Sequence, residues 1–592
     1  MITRWQPRET DANLPLMAET LGISEITANV MANRGIRSKN AAVFFLAPSI
    51  TRLRDFLLMK GAAEALERVS AAISCGEKIT IFGDYDADGI TSTTILFKTL
   101  RRFGAVCEYY MPHRIKEGYG LNYAVVEKLA HSGTKLLITV DNGISAVEEI
   151  KAATAFGMDT VVIDHHEPGE ILPQAVAIID PKQPDCDYPF KEMCAAGLSF
   201  KFAEALCRRQ NHILSSAEAG NPLAHTDTEK RFLDEMLALS AIGTLCDIVD
   251  LADENRIIVN SGLAVLNENK LINPGLGSLI TIRGYLDKAI DTFTVGFVIG
   301  PCLNATGRLE SAALAVDLLL CGADEPEKRV TLAQKLAEIN EARKTLTAEC
   351  VERALAVLNK ENEENGNEPQ KVLVLTDFEA HESVAGIVAG RIRESTGHPT
   401  ILLTKGDDSI KGSGRSIESY NLFEALYKHR RLFTRFGGHA MAAGFSLPEE
   451  NVPLLRAALN EDCTLTDDDF LPILHTDREI LPEEITLSLS DELSRLAPFG
   501  KGNGEPIFVC RNMFVEKVRV IDEKNTLIFT ISDKKNRRLK GIAFGLNEKF
   551  AAKNSGFTMD AAFTIETNEW NNNVEVQIKI RDFRINPSIS MV

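Results

Sequence analysis

Six aspartates and two histidines of this chain fall in four short stretches whose residue types and spacing suit phosphoryl chemistry. Asp84, Asp86 and Asp88 occur in Phe82-Gly-Asp-Tyr-Asp-Ala-Asp-Gly89, and Asp141 in Val140-Asp-Asn-Gly143. Asp164, His165 and His166 are consecutive, and Asp247 lies in Gly243-Thr-Leu-Cys-Asp-Ile-Val249. Gathering so many carboxylates is unfavourable without counter-charge, because like charges repel and raise one another's pKa. A pair of divalent cations resolves that conflict. Oxygen ligands with one imidazole suit Mn²⁺ or Mg²⁺ better than structural zinc, which usually recruits Cys. Two such ions ~3.5–4 Å apart can activate a bridging water and stabilise both the attacking and the leaving oxygen. A lone Asp after a strand is usually a helix cap or a turn former. The weight therefore rests on all four stretches reaching one place.

The surrounding pattern supplies a scaffold that brings them there. Short β-branched runs at Lys78–Phe82, Lys135–Val140, Asp159–Ile163 and Ala175–Ile179 alternate with helix-like stretches such as Ser92–Phe103 and Ala146–Phe156. This alternation predicts an α/β fold with a doubly wound parallel sheet, whose ligands bind beyond the carboxyl ends of the strands. The first three acidic stretches follow strands, and Asp247 approaches from the side after a helical Arg231–Ile242. Residues 325–360 read as one long helix, with Leu332, Leu336, Ile339, Leu346, Val351, Leu355 and Leu358 at helical spacing before a polar breaker run ending at Pro369. A second α/β unit begins at Lys371–Leu375, and an acidic run from Glu461 to Asp469 reads as a linker. Alternating strands such as Phe514–Ile521 and Thr526–Ile531 predict a C-terminal β-barrel, with a β-sandwich as the alternative. The expected division is an N-terminal extension (1–60), a catalytic domain (61–324), a connecting helix and linker (325–365), a second α/β domain (366–460), an acidic linker (461–499) and the barrel (500–592).

A chain of 592 residues with 45% apolar and 25% charged residues is an ordinary multidomain globular protein. Its apolar runs fall far short of the ~20 residues of a membrane span, and no secretory pattern follows Met1, so a cytoplasmic location is expected. The eleven Cys are scattered singly, which indicates neither a disulfide framework nor a zinc ribbon. The net charge of −18 argues against a polyanionic substrate, but two basic islands stand out. Between Arg391 and His439 there are nine Lys/Arg against five Asp/Glu, and between Arg511 and Lys540 nine against four. Such islands suit nucleic-acid contact at chosen surfaces as well as they suit solvated faces.

Asp84-Tyr-Asp-Ala-Asp-Gly89, Val140-Asp-Asn-Gly143, Asp164-His-His166 and Cys246-Asp-Ile-Val249 resemble the first four motifs of the DHH phosphoesterase superfamily. The resemblance implies that Asp86, Asp88, Asp141, His165 and Asp247 are metal ligands for two cations, Mn²⁺ or Mg²⁺, with Asp84 a further ligand or a neighbour that supports one. It also implies catalytic roles for Asp141, Asp164 and His166, with His166 facing the substrate phosphate or the leaving group. Four later stretches are similar, in order, to RecJ-type exonuclease motifs: Gly300-Pro-Cys-Leu-Asn-Ala-Thr-Gly-Arg308, His381 to Arg391, Gly412-Ser-Gly-Arg-Ser416 and Phe436 to Gly444. They imply a DHH domain, a connecting helix, a DHHA1 domain and a C-terminal OB-fold. The implied activity is metal-dependent 5′-to-3′ hydrolysis of single-stranded DNA in repair and recombination.

Substrate-binding candidates on these motifs are Asn304, Arg308, His381, Arg391, Arg415, Gly437, Gly438 and His439. The glycines read as a loop whose backbone N–H groups approach phosphate, and the arginines as bidentate phosphate partners. The chain departs from the family pattern at Cys302, where Arg is common, and at Ala380, where an aromatic residue is common. The first departure removes a candidate DNA contact. Phe82 stands where related family-II pyrophosphatases have a metal-binding His. Single-stranded DNA is the expected partner of a monomer, with a single-strand-binding protein and a helicase as protein partners. Two other readings stay open: a DHH phosphodiesterase of short oligoribonucleotides or cyclic dinucleotides, and a non-catalytic single-strand-binding protein on a DHH scaffold.

Overall fold

The computed structural model describes residues 3–9, 14–217, 227–364, 370–406, 409–533, 537–550, 555–570 and 573–586. Lys534 and Lys535 of the second basic island, and residues 365–369 of the breaker run, lie outside the described residues. The catalytic unit is built on a five-stranded parallel sheet in the spatial order Val106–Tyr110, Lys78–Phe82, Leu136–Val140, Asp159–Ile163, Ala177–Ile179. Its central strands are apolar and buried on both faces, as helices such as Ala87–Arg102 and Val147–Ala155 cover them. The first strand in sequence lies between the second and the third, so the winding direction reverses between Phe82 and Val140. That reversal opens a crevice at the strand ends, the place where ligands bind in such sheets. The strand Val106–Tyr110 was not among the expected ones; it is an edge strand with no fully buried residue, and its Val-Cys-Glu-Tyr-Tyr sequence lacks a β-branched run.

The helix Pro326–Glu364 carries the chain to a second sheet. There Leu373–Thr376 and Thr400–Lys405 are parallel, while Ile410–Arg415, Ala442–Leu447 and Arg435–His439 continue antiparallel. The C-terminal strands close into a barrel in the order Phe508–Ile521, Thr526–Ser532, Arg538–Phe544, Asn573–Ile585, Phe557–Trp570, with the last pairing back onto the first. This is the OB-type barrel, not the sandwich.

Two segments are more structured than their composition suggests. Residues 461–499, expected as a linker, provide Ile473–Thr476, Arg478–Glu479 and the helix Leu487–Ser494. Ile480, Ile485, Leu489, Leu493 and Leu496 are buried in the core of the barrel unit, so an apolar period downstream of the acids outweighs the acidic run. The described residues of the N-terminal extension, 1–60, pack on the same unit. Arg4–Pro7 pairs in parallel with Ile473–Thr476, and Leu14, Ile26, Val30, Met31 and Phe45 join the same core.

Arg256 joins these pieces. Its side chain is 1% exposed and lies over the Phe45 ring at 3.7 Å. The guanidinium donates to the carbonyls of Phe45 (2.9 Å), Ala497 (2.7 Å) and Pro498 (3.4 Å). Burial, then the nearby Arg34 charge, brings its pKa down to about 10, with no carboxylate among the described residues raising it again. Beside this clasp the Lys501 carbonyl accepts from Leu251 N–H at 2.8 Å. The barrel unit thus holds the segment that follows Asp247. Arg256→Ala would leave the Phe45 and Ala497 carbonyls without donors, each omission costing ~1–3 kcal/mol, while Pro498 keeps the Asn503 amide. The unfolding free energy, measured in urea, is expected to fall by about 3 kcal/mol or more; wild-type stability in the variant would rule out the clasp.

Candidate metal centre

The loop Gly83–Asp88 leaves the strand Lys78–Phe82 and turns straight into the helix Ala87–Arg102. Asp86 caps that helix, its Oδ1 accepting from Asp88 N–H (2.9 Å) and Gly89 N–H (3.1 Å). Gly89 has no substitute: a Cβ there would stand 2.4 Å from the Asp84 carbonyl oxygen. Asp88 is turned inward and fixed by N–H groups of Ala195 and Ala196, both at 2.8 Å, at the start of the helix Ala195–Ala217. Asp141 follows the neighbouring strand with φ 63°, a left-handed backbone that aims its carboxylate back at the same crevice.

The expected convergence is present. Donor atoms of Asp84, Asp86 and Asp141 lie within 4.8 Å of one another, and so do those of Asp88, His165 and Asp247. Asp141 links the two groups, with Oδ1 3.1 Å from His165 Nε2. His165 Nε2 is also 3.7 Å from Asp88, and its Nδ1 is 3.8 Å from Asp247. A third combination joins Asp141 with His165 and His166. The set fits divalent cations on its own chemistry: it is oxygen-rich, carries one neutral imidazole, and leaves Asp84 Oδ1 buried with no hydrogen-bond partner among the described residues.

The charge states follow from burial and repulsion. Burial, reinforced by neighbouring aspartates, holds Asp84 and Asp141 well above the ordinary carboxylate range. The same causes push Asp88 up to about 6 and Asp247 up to about 8. Burial, then the charge of His166, brings His165 down to about 3, so its ring is neutral and able to ligate. His166 behaves oppositely. Although burial opposes its charged form, the hydrogen bond and charge of Asp164 carry it up to about 9.

Asp164 is committed to the protein. Its oxygens accept from the N–H groups of Ile144 (2.9 Å), His165 (2.7 Å) and His166 (3.3 Å) and from His166 Nδ1 (2.7 Å). These donors outweigh burial and leave its pKa below the usual range. It orients both histidines instead of facing the crevice. Phe82 is fully buried and stacks on Tyr110 with centroids 5.7 Å apart, so the side chain is core and not part of the donor set.

The binding candidates separate into groups. Arg308 and Arg415 lie where the two α/β units meet; Arg308 donates to the Ser383 carbonyl (2.9 Å) and Arg415 to that of Gly414 (2.8 Å). Burial and the neighbouring guanidiniums, Arg114 first among them, lower the pKa of each. Asn304 is spent on structure: its Oδ1 accepts from Ala87 N–H at 2.8 Å and steadies the acidic loop. His381 caps the helix Glu382–Thr396 through Ser383, and Arg391 is exposed beside Arg343. Gly437 and Gly438 are not in a loop; they belong to the strand Arg435–His439. Gly437 lines a polar cleft of about 580 Å³ together with Arg114, Tyr119, Lys411, Ser413 and Arg435. A Cβ on Gly438 would meet the Ala442 carbonyl oxygen at 2.5 Å, so that glycine serves strand pairing. His439 is exposed at the strand end, outside that lining. Cys302 is fully buried, its sulfur accepting from Asn340 at 3.4 Å, so the thiol itself is part of the interior.

Sequence reasoning missed Arg114 and Tyr119. Arg114 lies over the Tyr85 ring at 4.9 Å, and Tyr119 places its hydroxyl 3.3 Å from His166 Nε2. Both sit in His113-Arg-Ile-Lys-Glu-Gly-Tyr-Gly120, whose basic and glycine content after the unrecognised edge strand was the available signal.

Fold and site together define a phosphoesterase with an appended barrel. Residues 78–244 match the DHH family, N-terminal domain, residues 369–464 the DHHA1 domain and residues 476–582 the RecJ OB domain. A single-stranded-DNA-specific exonuclease RecJ of Bacillus subtilis is 36% identical over 98% of this chain and 70% of its own length. That of Escherichia coli is 32% identical over 97% of each. The crystal structure of RecJ in complex with Mn²⁺ from Thermus thermophilus matches 99% of this chain and 80% of its own with a TM-score of 0.80 at 28% identity. The chain belongs to the RecJ family of nucleases.

The carboxylate pKa values set the pH response of the metal-free protein. Asp88 and Asp247 have folded values above the unfolded ~3.9, so the folded state binds extra protons between about pH 4 and 8. Their contribution to stability is present at low pH and is lost as pH rises through 6 and then 8. A bound cation replaces those protons. The rise in melting temperature on adding Mn²⁺ should therefore be larger at about pH 8 than at about pH 5.5; an equal or smaller rise at the higher pH would contradict the assignment.

Proposed function

We propose that this metal-dependent exonuclease removes nucleotides from the 5′ end of single-stranded DNA, and that Asp84, Asp86, Asp88, Asp141, His165 and Asp247 hold two divalent cations, Mn²⁺ or Mg²⁺. The observation that carries this reading is the pair of donor groups linked by the Asp141–His165 contact at the point where the sheet reverses its winding. Bound there, the cations would supply an activated water and stabilise charge on the phosphoryl oxygens. The protein's own groups position the substrate. Arg114, Arg308 and Arg415 offer guanidiniums to the phosphate nearest the crevice, and Gly437 lets backbone approach the next one. His166, charged and 43% exposed at its side chain, holds a proton facing the cleft that it can donate to a phosphate or leaving oxygen. Asp164 is its positioning residue.

The barrel supports a long strand over a dinucleotide as substrate. Its outer surface exposes Phe514, Lys517, Arg519, Lys540 and Phe544, a mixture of cations and rings suited to a single strand. Arg511, Arg537 and Arg538 of the same island are already in ion pairs with acids. Among the described residues no helix is long and apolar enough to cross a membrane. We place the enzyme in the cytoplasm as a monomer that acts in repair and recombination on strands supplied by a helicase and a single-strand-binding protein.

The test is to incubate the purified protein and Mn²⁺ with end-labelled single- and double-stranded DNA and RNA. Release of mononucleotides from the 5′ end of single-stranded DNA, stopped by a chelator, is expected; preference for RNA or for dinucleotides would overturn the reading. Asp141→Asn should lower turnover on the order of a hundredfold or more without changing the fold, and near-wild-type turnover in a correctly folded variant would sink the metal assignment.

A further inference from the structure

The helical run from Thr292 to Leu309 contains a π-helical segment, Val295–Ile299, followed directly by Gly300–Leu309. Wide turns of this kind are rare and concentrate at functional sites. Along the run Val295, Val298, Ile299, Cys302, Leu303, Ala305 and Thr306 are buried. Among the residues left out of the interior, Phe293, Phe297, Pro301, Asn304 and Arg308 recur at helical intervals. They form one stripe about 22 Å long at ~1.5 Å per residue.

The two ends of the stripe differ. At one end Arg308 donates to the carbonyl of Ser383, a residue that lines the cleft, and Asn304 braces the acidic loop through Ala87 N–H. At the other, Phe293 and Phe297 are 57% and 68% exposed, with ring centroids 4.9 Å apart and planes 24° from parallel. Two large rings stacked in solvent gain little for the fold. They leave their outer faces to another flat ring.

The neighbouring segment adds an independent oddity. Gly300 packs so closely on Cys246 that a Cβ would stand 2.4 Å from its Sγ. Two residues beyond Cys246, Ile248 has φ 58° and is 65% exposed. A β-branched residue in the left-handed region is strained by ~1–3 kcal/mol, a condition that persists chiefly at functional sites. The strain turns an apolar side chain to solvent directly after Asp247.

We propose that Phe293 and Phe297, with the exposed Ile248 on the neighbouring segment, form a base-stacking platform for single-stranded nucleic acid that extends toward the cleft along the Arg308 stripe. This rests on the single-strand reading above. The platform recognises base faces, not base identity, so it is tolerant of sequence. It acts on strand retention and not on bond cleavage.

The full chain with Phe293→Ala and Phe297→Ala together tests it, with a long oligodeoxythymidylate and the same backbone carrying abasic sites as probes in the presence of a non-hydrolysing cation. The variant should bind the thymidylate about tenfold more weakly or worse. The abasic strand should bind wild type and variant alike, and hydrolysis of a dinucleotide should be unchanged. Equal weakening on both strands would show a loss unrelated to bases and overturn the proposal, as would wild-type affinity for the thymidylate. Phe297→Trp guards against a misfolded double variant: thymidylate should quench the new indole emission and the abasic strand should not. Absence of quenching with retained binding overturns the platform. If instead wild type self-associates and the double variant does not, while DNA binding is intact, the rings are a contact between copies and the proposal fails. A wild-type protein that binds no single strand at all defeats the proposed function itself, an outcome distinct from each of these.

Discussion

Repulsion among buried carboxylates is the constraint around which the catalytic unit is arranged. Asp84, Asp86, Asp88, Asp141 and Asp247 are brought from three separate chain segments into one crevice, and burial raises most of their proton affinities. Nothing in packing recommends such a cluster. The protein holds it by other means: Asp88 is gripped by two N–H groups of a helix start, Asp86 is a helix cap, and Asp141 is set by a left-handed backbone. These three carboxylates are positioned by backbone donors or backbone geometry, which survive when the counter-charge is exchanged for protons.

The same logic explains why the chain's distant ends meet near the site. Asp247 sits at the end of a helix, with no strand to fix the residues after it. Leu251 is tied instead to Lys501, and Arg256 to Phe45, Ala497 and Pro498, so the barrel unit and N-terminal helices buttress the one ligand-bearing segment outside the sheet. A guanidinium bonded to carbonyls suits this role, because it joins three segments at once and requires no matching acid from any of them.

What the sequence revealed depended on the range of each signal. Strand periodicity and the residues immediately after Phe82, Val140 and Ile163 are local, so the sheet, the crevice and its aspartates were legible. The Val106–Tyr110 edge strand had no buried β-branched run, and Arg114 and Tyr119, which follow it, were missed as a consequence. Residues 1–60 and 461–499 looked like extension and linker because their apolar positions face partners hundreds of residues away. Asn304 and His381 belong to motifs that suggested substrate, yet both side chains satisfy helix starts. A side chain that could serve a ligand or a backbone equally well cannot be assigned from spacing alone.

Cys302 and Phe297 show the same limit for direction. They lie five residues apart on one continuous helical run, and neither residue type announces its side: the cysteine is fully buried and the phenylalanine is 68% exposed. Hydrophobicity would have placed both inside. The difference comes from helical phase: at 3.6 residues per turn, five residues put the two side chains on the order of 140° apart, while the spacing of Phe293, Phe297, Asn304 and Arg308 keeps those four close to one face. One helix thereby braces the acidic loop through Asn304 and presents rings to solvent at its beginning, which links the geometry of the carboxylates to the proposed stacking surface.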